Sequence, residues 1–405
     1  MQDGKLAYFS EVVRHLRENN LYPHIPEISG PSTAPEIIIG GKKYLSFCSN
    51  NYLGLANNPE INLAVQQAVE RYGVGSGSTR LLSGSLDIQQ QFEKELANFL
   101  QAKDSVTFSS GFLANTSVIR YLGDPFPYFP LIKKDKPGAI FSDQLNHASI
   151  VDAVRLSYAE RVIYKHRDYD GLERELRRRK KVRKAIITDG VFSMDGDFAD
   201  LPRLAKLSQE YDAVLYVDDA HGAGVLGPNG EGTAAHLGVA GKVDLVMASF
   251  TKAWGSIGGY VAAISKDLAD YIRVTGRGYI FSDPIPPAFV AGLLKTLEII
   301  RDGHGLRKQL KENATRLRQG LQRLGLETIP GETAIVPLMV RSEKKVIELS
   351  DALYAAGILA PAIRRPAVDV GAERLRLTLT ASHTKQHVDK LLEHCDVIGK
   401  RLALI

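Results

Sequence analysis

The chain has 405 residues, a formal net charge of +5, ordinary apolar and charged fractions, and two cysteines. That length exceeds a usual single core and calls for a large domain plus a smaller one. Apolar runs fall short of the roughly 20 residues of a membrane helix, two cysteines cannot build a disulfide framework, and no Cys/His cluster has metal-ligand spacing.

Met1-Gln2-Asp3-Gly4-Lys5 lacks the basic region and apolar core of a signal peptide, so a cytoplasmic location is expected. Phe9, Val12, Val13 and Leu16 recur at helical spacing and predict an amphipathic helix over 6–19. Pro23, Pro26, Pro31 and Pro35 predict an irregular linker. The apolar pattern around Gly40-Gly41 predicts a hairpin over 37–45. A helix over 59–72 precedes the glycine-rich stretch 73–84, which follows a helix rather than a strand and so fails as a dinucleotide-binding loop.

From there predicted strands and helices alternate. A strand over 105–108 runs into Ser109-Ser110-Gly111-Phe112 and a helix beginning near Leu113. A helix start after a small-residue turn suits a phosphate, because unpaired N–H groups and the dipole both favour an anion. Residues 123–138 form a long Pro/aromatic loop. A strand over 139–142 leads to Asn146-His147-Ala148-Ser149. The basic run Arg177 to Lys184 reads as a solvated helix end rather than a nucleic-acid patch. It leads into a strand over 185–188 and the stretch from Asp189 to Asp197. Beyond Ile280, Phe281-Ser282-Asp283-Pro284 breaks the pattern. Helices over 286–302, 306–324 and 343–357, with strands over 334–340 and 375–379, predict a smaller α/β domain. The expected division is an N-terminal helix and hairpin segment over 1–55, a large domain over 56–285 and a small domain over 286–405.

Two stretches carry the chemistry. The apolar runs 213–217 and 243–247 read as buried strands, the first ending at Asp218-Asp219-Ala220-His221, the second entering Ser249-Phe250-Thr251-Lys252. Asp218 thus sits at the C-terminal end of a strand, where open α/β sheets place ligands. A buried carboxylate there needs a cationic or protonated partner. Lys252, among small residues past a buried strand, loses its proton more readily and becomes a nucleophile for an aldehyde. A protonated pyridine for Asp218 and an aldehyde for Lys252 are the two demands of pyridoxal phosphate.

Asp218-Asp219-Ala220-His221 with Ser-Phe-Thr-Lys downstream resembles the α-oxoamine synthases, and the resemblance runs from about Ser46 to the C-terminus. It implies the fold of type I pyridoxal-phosphate-dependent transferases: an α/β architecture with a mostly parallel, seven-stranded type of sheet between helices, plus a smaller C-terminal α/β domain. It implies pyridoxal 5′-phosphate as cofactor and a homodimer with shared active sites. The implied reaction is a decarboxylative condensation of a small amino acid with an acyl-CoA, most like that of 8-amino-7-oxononanoate synthase or 2-amino-3-ketobutyrate CoA ligase. Long-chain condensation of the serine palmitoyltransferase type and fold-type-I amino-group transfer stand as alternatives.

Residue by residue, the resemblance implies that Lys252 carries the cofactor and serves as base, and that Asp218 faces the pyridine nitrogen. His147 would stack on the ring, and Ser193 and His221 would meet its phenolic oxygen. Ser110, Gly111, Phe112, Ser249 and Thr251 belong to the cofactor site. In Ser49-Asn50-Asn51-Tyr52-Leu53-Gly54-Leu55, Asn50 matches the asparagine near the substrate carboxylate, while Asn51 departs from the usual aspartate. Arg376, within Arg374-Leu375-Arg376-Leu377-Thr378, matches the arginine that pairs that carboxylate. Thr79 stands in the glycine-rich turn that shapes the amino-acid site, and a family histidine is replaced by Gln89. Asp283 occupies the place of a small polar residue that reaches the partner subunit's cofactor phosphate. A carboxylate is repelled there, so Asp283 is expected to turn towards Arg273 or Arg277.

Overall fold

Short, apolar, β-branched segments separated by helices have one economical arrangement, a sheet buried on both faces. The computed structural model, which describes residues 4–19, 21–22, 25–127 and 136–405, has that arrangement. Three strands come first: β1 (Ile28–Ser29), β2 (Glu36–Ile39) and β3 (Lys42–Ser46). The main sheet uses β4 (Asp104–Phe108), β5 (Ala139–Asp143), β6 (Glu160–Tyr164), β7 (Lys184–Asp189), β8 (Ala213–Asp218), β9 (Leu245–Ser249) and β10 (Gly259–Ala263). The last four are β11 (Ile335–Met339), β12 (Ile358–Leu359), β13 (Ala362–Ile363) and β14 (Arg374–Thr378).

The main sheet has the order β4-β10-β9-β8-β7-β5-β6. Strands β5 to β9 pair in parallel, and β10 runs against both its neighbours, β9 and β4. Side chains alternate between two cores, as a period of two requires. Ala185, Ile187 and Tyr216 pack on one face with the helix Gly111–Gly123, and Ile186, Leu215 and Val217 pack on the other with the helices Tyr169–Arg178 and Leu201–Glu210. Each such fully buried Ile, Leu or Val stabilises the sheet by about 1.5–3 kcal/mol. Chain order jumps from edge strand β4 to β5 across four intervening strands, so the carboxyl ends of β4, β5, β7, β8 and β9 surround one crevice.

The hairpin expected at 37–45 is β2-β3, and the helices expected at 59–72, 286–302 and 306–324 are Pro59–Tyr72, Pro287–Asp302 and His304–Arg323. The first helix, Ala7–Glu18, buries none of its residues. Pro23 lies outside the described residues, and from residue 25 onward the proline linker is less irregular than expected. Ile28 and Ser29 pair with β2 because the turn falls at Gly30, ahead of Pro31. Strand β9 begins two residues later than predicted, since the Asp244 carboxylate accepts from the Leu215 N–H at 2.8 Å and belongs to the preceding turn. Of the 123–138 loop, residues 128–135 lie outside the described ones; its ends meet where the Gly138 N–H donates to Gly123. The basic run is solvated at the end of Tyr169–Arg178, with Arg177 on Glu173, Arg178 on Glu175 and Arg179 on Glu160, except for Lys184, which is buried at the start of β7 with Nζ donating to the Val182 carbonyl. Strand β12 pairs in parallel with β3, joining the N-terminal hairpin to the C-terminal part of the chain.

Candidate active site

The carboxyl ends of the strands bring Ser110, Gly111, Phe112, His147, Asp189, Ser193, Asp218, His221, Ser249, Thr251 and Lys252 around one cleft of about 260 Å³. All but Asp189 are residues singled out in the sequence. Lys252 lies in the loop that joins the antiparallel pair β9-β10. The loop is closed by Phe250 N–H donating to Gly258 and Ser256 N–H donating to Phe250, and Trp254 is buried against Phe250 at 5.2 Å between ring centroids. Gly255 has φ +63°, and a Cβ there would lie 2.4 Å from the Ala56 backbone nitrogen, so the turn beside the lysine admits no side chain.

The floor of the cleft is ionisable. Burial pushes Lys252 down to about 8, against the upward pull of Asp218 and Asp189. Its Nζ stands 2.8 Å from His221 Nε2. Burial, then the charges of Lys252 and Arg376, hold His221 well below the ordinary imidazole range. Burial also lowers His147, whose Nδ1 meets Ser149 Oγ at 2.7 Å. Asp218 is fixed from two sides: Asn115 Nδ2 donates to Oδ2 at 2.8 Å and the Ala220 N–H donates to Oδ1 at 3.1 Å. Tyr216 in turn donates to Asn115 Oδ1 at 2.7 Å. The next residue, Asp219, is pushed by burial to about 7 and accepts from the Thr233 N–H at 2.7 Å, bracing the turn that carries His221.

Asp189 is the residue that sequence reasoning passed over. It stands opposite Asp218 in the β7-β8 register. Burial, then the Asp218 charge, push its carboxyl well above the ordinary range, and its Oδ1 is buried without a hydrogen-bond partner. Asn146 explains its place in Asn-His-Ala-Ser: Nδ2 donates to the Ile187 carbonyl and Oδ1 accepts from the Asp189 N–H, each at 2.9 Å, so it ties the ends of β5 and β7 together.

The opposite wall is an anion cradle. Ser110 caps the helix Gly111–Gly123, its Oγ accepting from the Leu113 N–H at 3.0 Å. This leaves the N–H groups of Gly111 and Phe112 without intrahelical partners. The hydroxyls of Ser249 and Thr251 lie 2.8 Å apart beside them. A Cβ on Gly111 would come within 3.1 Å of Ser249 Cβ, so glycine is what lets the helix start approach the strand end. A phosphate at the helix start, an aldehyde at Lys252 and a protonated ring nitrogen at Asp218 suit these groups.

The rim comes from distant parts of the chain. Both Arg376 Nη groups lie 3.3 Å from Asn50 Oδ1, and Arg376 Nε donates to the Ser193 carbonyl. Tyr52 joins the rim to the floor through Asn50 and His221. Thr79 is not among the residues lining this cleft in a single chain. Gln89, at the place of a family histidine, instead donates to the Ile285 carbonyl at 3.1 Å. The expectation that Asp283 pairs with Arg273 or Arg277 is corrected. Arg273 is held by Asp104 and Asp270, Arg277 lies over the Phe281 ring, and among the described residues Asp283 has no side-chain partner.

Comparison with known proteins agrees with this geometry. The family model described as aminotransferase class I and II matches residues 42–395. The chain is 41% identical over 400 residues to an 8-amino-7-oxononanoate synthase of Thermosipho melanesiensis, covering 98% of this chain and 99% of that one. It is 42% identical to the enzyme of that name from Petrotoga mobilis, over 91% and 92% of the two chains. Among solved structures, serine palmitoyltransferase of Sphingomonas wittichii superposes with a TM-score of 0.92 at 28% identity, covering 99% of this chain and 100% of that one. The 8-amino-7-oxononanoate synthase of Francisella tularensis gives 0.73 at 28% identity, over 89% and 98%.

Proposed function

Because the chain belongs to the α-oxoamine synthases, within the class I and II aminotransferase family, we propose that it joins a small amino acid to an acyl-CoA. The products are an α-amino ketone, free CoA and carbon dioxide from the amino acid's carboxyl group, in the manner of its 8-amino-7-oxononanoate synthase relatives. The observation that carries this reading is the convergence of Lys252, Asp218 and the helix start at Gly111 on one cleft. When bound, pyridoxal phosphate supplies an aldehyde for the substrate amine and a ring that takes up electrons from the α-carbon.

The chain's own residues then divide the work. The Gly111 and Phe112 N–H groups, with the hydroxyls of Ser110, Ser249 and Thr251, hold the phosphate. The Asp218 carboxylate, oriented by Asn115, keeps a proton on the ring nitrogen. Burial and the Asp218 charge disfavour a second negative charge on the neighbouring Asp189. His147 caps the ring, and Ser193 and His221 meet the phenolic oxygen. Arg376 and Asn50 hold the substrate carboxylate. Lys252, lowered to about 8, is neutral often enough near pH 7 to take the α-proton.

The division at 55/56 and 285/286 is kept as a proposal, with the β3-β12 pairing supporting an N-terminal segment that sits with the small domain. A cytoplasmic homodimer with shared sites is proposed too. The homodimer is supported by Phe112 at the cleft and by Leu81 and Leu82 in the glycine-rich turn, all more than 40% exposed; none of the described helices is long and apolar enough to cross a membrane. The test is to incubate cofactor-loaded enzyme with glycine, alanine or serine against a panel of acyl-CoAs, following CoA release and product mass. CoA release with a product of amino acid plus acyl group less carbon dioxide supports the reading. Turnover of a 2-oxo acid without CoA release replaces it with amino-group transfer.

A further inference from the structure

Tyr52 is 1% exposed, and its hydroxyl lies 2.7 Å from His221 Nδ1 and 3.2 Å from Asn50 Oδ1. One proton has two possible acceptors there. The orientation of the Asn50 amide is set by Arg376, which only donates and places both Nη groups 3.3 Å from the same oxygen. Asn50 Oδ1 is therefore supplied with two N–H donors before Tyr52 is counted. His221 Nδ1 has no such supply, and its contact with the phenol is the shorter of the two.

We propose that Tyr52 donates to His221 Nδ1 and thereby fixes His221 as the tautomer protonated on Nε2, the nitrogen that faces the cleft. His221 then presents an N–H donor at the floor while remaining neutral. The nearest group, Lys252 Nζ at 2.8 Å, receives that bond through its lone pair once it is a free amine, above its value of about 8. The opposite tautomer would present a lone pair, which a free anionic oxygen repels and which only an ammonium on Lys252 would satisfy. Tyr52 is thus a positioning residue: it does not line the cleft and acts through His221. The groups facing this pair from neighbouring elements are Asp218, Asp189, Asp219, Arg376 and His147. The phenol itself stays protonated, because burial raises it above its ordinary value against the pull of Arg376.

The inference rests on the proposed reaction only for its use, since the hydrogen-bond chain exists whichever reaction the cleft performs. It is tested on the full-length cofactor-free protein, labelled with ¹⁵N-histidine, by reading the two ring nitrogens of His221 above the Lys252 value of about 8, where that amine is free. The wild type is expected to show the proton on Nε2. Tyr52→Phe, which removes one oxygen, is expected to give a mixture of the two tautomers. Asn50→Ala is expected to leave the proton on Nε2, since the phenol then has one acceptor. A wild-type proton on Nδ1 overturns the proposal without any variant. So does retention of pure Nε2–H in Tyr52→Phe, or a switch to Nδ1–H in Asn50→Ala. In the cofactor-loaded enzyme, Tyr52→Phe is expected to shift the pH midpoint of the cofactor's visible absorbance by about one unit, the scale of one charge-assisted hydrogen bond; an unmoved midpoint counts against it.

Discussion

Two histidines follow strand ends of the same sheet and meet opposite fates. His221 comes three residues after β8 and faces Lys252, Arg376 and His147; burial and those neighbours strip it of charge. His166 comes two residues after β6, with Asp143 3.1 Å from Nδ1 and Asp197 3.0 Å from Nε2. Burial alone would lower it, but bonds to Asp143 and Asp197 outweigh burial and lift it to about 9. Both rings are held on two sides. Two carboxylates make a charged brace; a phenol and a lysine flank an uncharged imidazole. The brace has its own place in the architecture, because Asp197 lies in the segment that carries Ser193, and Arg374 holds Asp195 of that segment from β14. The outer region uses charge for rigidity, while burial in the cleft disfavours the charged forms of His221 and Lys252.

The sharpest way to break the contrast is to remove the cleft's amine. Lys252→Ala is expected to cut turnover by about 10³-fold or more while leaving the thermal midpoint and the His166 titration as they were. A variant with near-wild-type turnover removes Lys252 from the mechanism. Arg376→Ala tests the rim. Loss of a carboxylate's charged partner is expected to cost about 2 kcal/mol, roughly a 30-fold rise in the amino-acid Kd, with cofactor affinity little changed. An unaltered amino-acid Kd in a binding titration places the carboxylate elsewhere.

The outer brace is tested by linkage. A histidine whose folded value is raised to about 9 from 6.5 contributes stability that is full below 6.5 and is lost as the pH rises through 9. Its loss is expected to lower unfolding stability by on the order of 3 kcal/mol across that window. In His166→Gln that slope disappears, as denaturant titrations at several pH values would show. An unchanged slope means that His166 is not charged in the folded protein. The smallest effect is expected at Asp283, exposed and unpaired within the described chain. Asp283→Thr is expected to leave pyridoxal phosphate affinity within about twofold, the scale of a surface change, and to act on the dimer or the loop instead. Much tighter cofactor binding with dimerisation unaffected means that the carboxylate faces the phosphate.

The strands, their burial and the cleft's floor were legible in the sequence because they rest on local patterns: apolar runs of about five residues, followed at once by Ser-Gly-Phe, Asp-Asp-Ala-His or Ser-Phe-Thr-Lys. The rim was legible only through the resemblance, since Asn50 and Arg376 stand 326 residues apart. Asn115 carried no signal that it would reach Asp218 across 103 residues, nor Tyr52 that it would reach His221 across 169. Asp189 could have been found: its strand ends as Asp218's does, and two strands in register put the two carboxylates side by side. Arg273 shows the opposite failure. Nearness in sequence to Asp283 suggested a pair, but Asp104 and Asp270 already hold that guanidinium.

The fate of the amino acid's carboxyl group separates the proposed reaction from its nearest relatives on this fold. Holoenzyme is given carboxyl-labelled alanine or glycine with and without an acyl-CoA, and label in carbon dioxide is counted against CoA released. The account predicts one labelled carbon dioxide per CoA, and none when the acyl-CoA is omitted. Label retained in a 2-oxo acid, or carbon dioxide released without the thioester, would contradict it.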